Sequence, residues 1–313
     1  MPIIDLHCDT ISALLDCSRP AGLRANHLHI DLHKLQQANS LAQFFAMYID
    51  LQAVENPLEA CLVMIDRFYQ EIEQNNDLIQ VATSLSDLQA NQAQQKISAF
   101  LTIEEGGVLK GNLSNLRIFH RLGVRLITLT WNYPNEIGFP NCRTEYQQCG
   151  LTAFGQAVVL EMNRLNMMID VSHLSDQGFY DVAKFSARPF VASHSNARSV
   201  KAHSRNLTDA MIKTLAEKGG VMGINFANSF LGNSPVSLIE DMVRHINHIR
   251  NIGGIEVIAL GSDFDGIAPK LEIADMGELD KLIQALQQHN FSETEIEKIC
   301  HKNVLRVMKD CLG

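Results

Sequence analysis

Five residues with imidazole or carboxylate side chains end short apolar runs at widely separated places in the chain. They are His7, Asp9, Glu105, His173 and His194. The first two are two residues apart, so on a strand their side chains project from the same face. A barrel of parallel strands collects functional residues at the carboxyl ends of its strands. With Gly-Ser-Asp-Phe-Asp-Gly at 261–266, the pattern predicts one polar site at one end of such a barrel.

Imidazoles and carboxylates without a thiolate are typical ligands of zinc or a similar divalent ion. Five protein ligands exceed what one catalytic ion takes, because its site keeps a coordination position open. A shared carboxylate resolves this count: His7, Asp9 and Glu105 would hold one ion, and Glu105, His173 and His194 the other. Two such ions can hold a hydroxide at neutral pH and polarise a carbonyl oxygen.

Each of these residues also has a structural interpretation when it is taken singly. A strand-end histidine often only hydrogen-bonds within the fold, Glu105 could be a solvated carboxylate, and Asp9 could cap the following helix. The joint placement of all five at predicted strand ends favours the metal interpretation.

Three further residues are candidates for the same mouth of the barrel. Asp263 ends the last predicted strand and is a candidate proton carrier. Asp265, two residues later, either supports the site or organises the turn. Arg205 follows the sixth predicted strand and could bind a substrate carboxylate with its planar guanidinium. The alternative for Arg205 is an ordinary surface arginine in a loop.

The elements that must position these residues are eight short apolar segments, most of them separated by helix-like stretches. They lie near 2–7, 42–49, 97–104, 124–131, 167–173, 189–194, 220–226 and 257–263. Several are continuous apolar runs, as in parallel strands covered on both faces. No Gly-x-Gly-x-x-Gly follows the first segment, which disfavours a dinucleotide-binding sheet. The prediction is therefore an α/β protein, a single (β/α)8 TIM barrel over residues 1–313, of the metal-dependent hydrolase type.

Helix starts are predicted at three places between these segments. Asn56-Pro57 offers a cap followed by a first-turn proline. Ser237 with Glu240, and Ser292 with Glu295, have the spacing of a capping box.

Composition limits the partners and the compartment. The net charge of -9 argues against nucleic acid as a general partner, because phosphate binding needs a basic face. No apolar run has the length of a membrane span, and the amino terminus does not have the pattern of a signal peptide. The seven cysteines contain no Cys-x-x-Cys pair, and Cys142 and Cys149 are expected to be free thiols. We therefore expect a cytoplasmic protein with no membrane partner, and a homodimer is left open.

An ordered series of motifs runs along the chain. It comprises Asp-Leu-His-Cys-Asp-Thr at 5–10, Glu-Gly-Gly at 105–107, Ile-Thr-Leu-Thr-Trp-Asn at 127–132, Gly-Leu-Thr-Ala-Phe-Gly at 150–155, Ile-Asp-Val-Ser-His-Leu-Ser at 169–175, Ser-His-Ser-Asn-Ala-Arg at 193–198, Arg-Asn-Leu-Thr-Asp at 205–209 and Gly-Ser-Asp-Phe-Asp-Gly at 261–266. In these motifs the chain resembles the membrane dipeptidase (renal dipeptidase, peptidase M19) family, especially its bacterial members. The resemblance covers essentially the whole chain.

This resemblance implies a barrel with two zinc ions that hydrolyses dipeptides, often those with a D-residue at the carboxyl end. It favours Glu105 over Glu104 as the bridging carboxylate, because the family's glutamate directly precedes Gly-Gly. It also implies that Arg205 holds the substrate carboxylate and that Asp263 orients the bridging water and relays a proton.

We therefore predict a zinc dipeptidase in which a metal-bridging hydroxide attacks the peptide carbonyl of small dipeptide substrates. One alternative is another metal-dependent amide or lactam hydrolase on the same barrel. Another is a catalytically impaired metal-binding or ligand-binding relative. That alternative arises because Trp131 stands where the animal enzymes have a histidine thought to assist the oxyanion.

Overall fold

Eight parallel strands close into a barrel in the computed structural model, which describes residues 1–15, 22–267 and 270–313. In chain order, the eight strands of the barrel and the three strands outside its ring are β1 (Ile3–Cys8), β2 (Ser40–Tyr48), β3 (Ile79–Val81), β4 (Ile97–Glu104), β5 (Val124–Thr128), β6 (Met168–Asp170), β7 (Val191–Ala192), β8 (Val221–Ile224), β9 (Val236–Ser237), β10 (Ile258–Leu260) and β11 (Lys270–Leu271). The barrel runs β1-β2-β4-β5-β6-β7-β8-β10 and closes where β10 pairs with β1. The predicted (β/α)8 fold is confirmed.

Helices follow most of the barrel strands and cover them on the outside. They are α1 (Thr10–Leu14), α2 (Leu32–Gln37), α3 (Pro57–Gln74), α4 (Leu85–Ala93), α5 (Leu113–Arg121), α6 (Ala153–Arg164), α7 (Asp176–Phe185), α8 (Asp209–Glu217), α9 (Asn228–Leu231), α10 (Ile239–Gly253), α11 (Asp280–Gln288), α12 (Glu293–Glu297) and α13 (Asn303–Leu312). A π-helical turn at Lys298–Lys302 joins the last two. No helix in the described part of the chain is long and apolar enough to cross a membrane.

Each of the eight apolar segments found in the sequence overlaps one barrel strand. The segments extend past the carboxyl ends of several strands, because the chain stays buried as it enters the mouth of the barrel. Leu129 follows β5 and Val171 follows β6, and their exposed fractions are 0% and 2%. The sequence did not predict β3, β9 or β11. These strands have two or three residues each, too few to produce a periodic pattern.

Two of the three predicted helix starts are confirmed. Helix α3 begins at Pro57 after Asn56, and Ser292 with Glu295 forms a complete capping box at the start of α12. The capping box predicted at Ser237 is wrong. Ser237 pairs with Leu271 in the short β9–β11 ladder, so the chain is still extended there and α10 begins two residues later.

The described cysteines are all free thiols, including Cys142 and Cys149 as expected. Cys17 lies outside the described residues.

The core has two parts. In one, Phe44 of β2 stacks on Phe100 of β4 with ring centroids 4.7 Å apart, and this layer extends to Val304 and Met308 of α13. The other, larger part includes the apolar faces of α3, α5 to α8 and α10. The strands are thus packed on both sides, which fixes their carboxyl ends as a rigid rim for the residues described next.

Candidate metal centre

Five side chains from four strand ends converge at the mouth of the barrel. They form two groups that share one glutamate. His7, Asp9 and Glu104 make the first group, and Glu104, His173 and His194 make the second. Within each group, the nitrogen and oxygen atoms that could bind an ion all lie within 4.8 Å of one another. Separations along the sequence no longer matter, because the barrel brings the ends of β1, β4, β6 and β7 together.

The Glu104 carboxylate lies between three imidazoles. Its Oε1 atom is 3.0 Å from Nε2 of His173 and 3.4 Å from Nε2 of His194. Its Oε2 atom faces the other way, 3.4 Å from Nε2 of His7. The first group is completed by Asp9, whose Oδ2 atom is 3.5 Å from the same His7 nitrogen. Each carboxylate oxygen of Glu104 therefore serves a different group.

The sequence-based choice of Glu105 for this position is wrong. Glu104 is the last residue of β4, whereas the backbone turns at Glu105 with φ 122° and ψ 98°. The buried Glu105 carboxylate accepts hydrogen bonds from the backbone N–H of Gly107 and of Trp131 and from the Asn135 side chain. Successive strand residues point to opposite sides, so a shift of one residue moves a side chain out of the site.

The tautomer of His194 is fixed by a hydrogen-bonded chain behind the ring. The Asp170 carboxylate can only accept, so the Ser193 hydroxyl, 2.6 Å away, donates to it. The Ser193 oxygen is then the acceptor for Nδ1 of His194 at 2.7 Å. With its proton on Nδ1, the ring directs the Nε2 lone pair toward Glu104. Such outer partners commonly orient metal-binding histidines.

His173 is oriented in the same way by the loop that follows β5. The Asn132 side-chain oxygen lies 3.1 Å from Nδ1 of His173 and accepts a hydrogen bond from the N–H group there. The Nε2 atoms of His173 and His194 are 3.0 Å apart, although both then carry lone pairs and no hydrogen. A cation between them resolves this contact. The residues fit a metal ion.

Buried polar atoms in the first group also point to an ion. Nδ1 and Nε2 of His7 and Oδ1 of Asp9 are buried and have no hydrogen-bond partner within the described chain. Buried polar atoms are normally paired, and unpaired ones indicate a bound ligand or need another specific explanation. Three nitrogen ligands with two carboxylates suit zinc or a similar divalent ion.

Burial and mutual charge set the protonation of the cluster. Burial and the nearby Arg205 charge lower the pKa of His173 to about 4, so the ring is neutral as a metal ligand must be. Burial and the charge of Glu104 raise the pKa of Asp9 to about 7. Burial opposes ionisation of Glu104 as well, but the charge of His7 holds its pKa well below the usual range.

Asp263 lies beside the cluster, as the sequence predicted, and with His7 and His194 it makes a third group whose potential ligand atoms lie within 4.8 Å of one another. Its Oδ1 atom is 3.8 Å from Nε2 of His7, and its Oδ2 atom accepts a hydrogen bond of 2.8 Å from the Asn225 side chain. Burial raises the pKa of Asp263 to about 6, close to neutrality. Asp265 has a structural role. Its carboxylate accepts hydrogen bonds from the Thr10 hydroxyl and from the His29 backbone N–H, and these bonds fix the turn after β10.

Arg205 is a buried residue of the cavity wall, not a surface arginine. It is 4% exposed, and one of its terminal nitrogens donates to the backbone oxygen of His194 at 3.2 Å. Its Nε and Nη1 atoms have no hydrogen-bond partner within the described chain. The guanidinium lies 5.4 Å from the centre of the Phe230 ring, close enough for a cation–π contact. Its free donors are available to an anionic group in the cavity.

A cavity of about 690 Å³ is lined by Asp9, Glu104 and His173 of the cluster and by Arg205. Its volume is within the range of small-molecule sites. Trp131 forms part of its wall and packs edge-on against Tyr48, with ring centroids 4.9 Å apart, and against Tyr133 at 5.7 Å. The Trp131 backbone is held from below by Glu105. Glu105 thus supports the wall of the site rather than the cluster.

Sequence analysis missed Glu104 and the residues behind the ligands. Asp170, Ser193, Asn132 and Asn225 are polar residues at or just beyond strand ends, like the ligands themselves. Their position near strand ends was the signal that could have identified them as site residues. That position does not distinguish a metal ligand from a residue that hydrogen-bonds to a ligand.

A parallel eight-stranded barrel with clustered histidines and carboxylates at its carboxyl-terminal mouth defines the class of metal-dependent hydrolases. The membrane dipeptidase family, peptidase family M19, matches residues 1–311. The chain belongs to this family of metallo-dipeptidases.

Sequence relatives cover most of the chain. An uncharacterized protein of Klebsiella pneumoniae is 33% identical over 268 residues, which are 82% of this chain and 97% of that protein. The dipeptidase tcpJ of Claviceps purpurea is 30% identical over 294 residues, which are 90% of this chain and 69% of tcpJ.

Solved structures share the whole fold. A metallopeptidase of Rhodobacter sphaeroides, liganded with a phosphinate mimic of the dipeptide L-Ala-D-Ala, is 28% identical with a TM-score of 0.92 and 99% of each chain covered. A dipeptidase of family M19 is 29% identical with a TM-score of 0.93, covering 100% of this chain and 99% of the other.

We expect Glu104→Gln to release metal from both groups, because its two oxygens face one group each. The loss of affinity should exceed the roughly 10–100-fold typical of changes to outer partners of a ligand. Glu105→Gln is the matched control and should retain the metal, while the emission of Trp131, the only tryptophan in the sequence, reports the altered wall. Elemental analysis of the purified variants checks both. Metal loss from Glu105→Gln with retention by Glu104→Gln would restore the sequence-based choice.

Ser193→Ala should weaken metal binding by about 10–100-fold without unfolding the barrel, because the link between Asp170 and Nδ1 of His194 is lost. Ser195→Ala is the control, since Ser195 is equally buried but its hydroxyl has no hydrogen-bond partner within the described chain. Competition with a chelator measures the affinities. Equal affinities in the two variants would contradict the tautomer argument.

Proposed function

We propose that this protein is a dipeptidase that uses two divalent ions, most suitably zinc, to hydrolyse dipeptides, including those with a D-residue at the carboxyl end. One observation carries the proposal. A buried arginine with free donors faces the same cavity as the cluster of metal-binding residues. A dipeptide has the matching arrangement, because its free carboxylate lies next to its only peptide bond.

His7, Asp9 and Glu104 would hold one ion, and Glu104, His173 and His194 the other. When bound, such ions act as Lewis acids toward a carbonyl oxygen and lower the pKa of water. His173 and His194 direct their Nε2 atoms toward Glu104, and the Glu104 carboxylate would contribute to both sites. This assignment requires two ions per chain.

Arg205 would hold the substrate carboxylate. Its unpaired Nε and Nη1 donors lie at the edges of a planar guanidinium and can donate to a carboxylate, an arrangement that the single ammonium of lysine does not reproduce. The Arg205 donors would remain unpaired if a longer peptide placed a further residue where the carboxylate of a dipeptide belongs. This mismatch disfavours longer substrates.

Asp263 would carry the proton. The hydrogen bond from Asn225 occupies its Oδ2 atom, and Oδ1 remains directed toward His7 and the cluster. With a pKa of about 6, its carboxylate can take a proton at neutral pH and return it to the departing amine.

The inclusion of D-residues rests on a relative. The Rhodobacter sphaeroides structure with a mimic of L-Ala-D-Ala supports a site that accepts a D-residue beside the carboxylate. The direct test is hydrolysis of a panel of L,L- and L,D-dipeptides by the metal-loaded protein. A panel on which no member is hydrolysed would reject the proposal.

Arg205→Lys should lower kcat/KM for dipeptides by about 1–3 kcal/mol in transition-state stabilisation, because a bidentate contact becomes a point charge. Metal content and the melting temperature should be preserved, since Arg205 is not in the ligand groups. A dipeptide amide, whose carboxylate is blocked, should show a smaller difference between the wild-type enzyme and the Arg205→Lys variant. Wild-type kinetics in the variant would remove Arg205 from substrate binding.

Asp263→Asn should keep both ions but lose at least about 10²-fold in kcat, because an amide cannot relay the proton. The variant preserves the shape of the side chain and can still accept a hydrogen bond from Asn225. Elemental analysis with steady-state kinetics separates the outcomes. Loss of metal together with activity would make Asp263 a ligand, and unchanged turnover would remove its part in proton transfer.

A further inference from the structure

The cavity has two ends on opposite sides of the barrel. Arg205 lies in the loop after β7, which is four strands away from β2 in either direction around the eight-stranded ring. The loop after β2 therefore lies across the mouth from Arg205, with the metal-binding cluster between them. Both loops line the same cavity.

The end of the cavity near β2 is lined by a group of apolar side chains, here termed the apolar branch. They are Ala13, Ile49, Ala53, Val54, Met64 and Ile267. They come from the loops and helices that follow β1, β2 and β10, which are neighbours in the barrel. Tyr48 and Trp131, packed edge-on, adjoin this branch along the wall.

A bound dipeptide would have a fixed direction in this cavity. Its second residue carries the carboxylate that Arg205 would hold, and its peptide carbonyl would lie at the cluster. The first residue must then continue away from Arg205, toward the side of β2. Its side chain reaches the apolar branch.

We propose that the enzyme prefers dipeptides whose first residue has a large apolar side chain, such as leucine, methionine or phenylalanine, and that the apolar branch holds this side chain. This inference rests on the proposed dipeptidase function. A small side chain would leave the branch unfilled, and burial of apolar surface is the main source of selectivity in such a pocket.

Charged first residues fit this end of the cavity less well. The carboxylates of Asp50, Asp9 and Asp265 also line the cavity and oppose an acidic side chain. Asp50 is the carboxylate that a lysine or arginine side chain could reach beside the branch. It is partly exposed and already accepts the Gln52 backbone N–H at 2.8 Å, so water screens a pair formed there and limits its contribution.

The test compares Leu-Gly with Gly-Leu, which share a composition but differ in order, and with three dipeptides that differ from Leu-Gly in the first residue. We expect kcat/KM for Leu-Gly to exceed that for Gly-Leu and for Ala-Gly by at least about 10-fold, because only Leu-Gly fills the branch. Lys-Gly and Glu-Gly should both be poorer than Leu-Gly. The metal-loaded, full-length protein is used throughout.

Val54→Asp places a charge in the branch, outside the ligand groups and away from Arg205 and Asp263. It should lower kcat/KM for Leu-Gly by about 10-fold and raise the relative rate with Lys-Gly, while Ala-Gly stays within about twofold. Leu62→Asp is the matched control. It makes the same kind of change on the outer surface of α3, where Leu62 is 40% exposed. This control should leave kcat/KM unchanged for all five dipeptides.

The outcomes distinguish this inference from the proposed function. If no dipeptide is hydrolysed, the dipeptidase proposal fails. If dipeptides are hydrolysed but Gly-Leu or Lys-Gly equals Leu-Gly, the function stands and the preference for an apolar first residue is wrong. If Val54→Asp and Leu62→Asp behave alike, the branch does not hold the first side chain.

Discussion

The burial of the Glu104 carboxylate between three imidazoles is the constraint on which the rest of the site depends. A buried carboxylate is costly unless partners compensate its charge, and here the charge of His7 lowers its pKa. The compensation works only if strand ends far apart in sequence reach one point. The closed barrel provides this, because its packed core leaves little freedom at the rim.

A set of hydrogen bonds behind the ligands gives each imidazole its direction. Asp170 acts through Ser193 on His194, and Asn132 acts on His173. The loop that carries Asn132 also carries Trp131, and Glu105 holds its backbone from below. The orientation of a ligand and the shape of the cavity wall are therefore linked through one loop. Arg205, across the cavity from the β2 side, completes a site with a cationic end and an apolar end.

The two adjacent glutamates show where sequence reasoning ended. Motif spacing placed a glutamate at the end of β4, and that much was correct. The choice between neighbours depended on where the strand stops and the backbone turns. Glu104 still pairs with Thr128 of β5, whereas Glu105 adopts a positive φ and points to the loop below. Such a turn is set by the surrounding packing and leaves no mark on residue type, since both residues are glutamate.

By itself, the sequence determined the eight strands, the barrel, four of the five residues in the two groups, and the position of Asp263. These follow from local properties: apolar runs form buried strands, and polar residues at their ends meet in a parallel barrel. Only the tertiary structure decided which glutamate joins the groups, that Arg205 is buried with free donors, and which residues orient the imidazoles. Each of these depends on contacts between segments tens of residues apart, and no local pattern encodes such contacts.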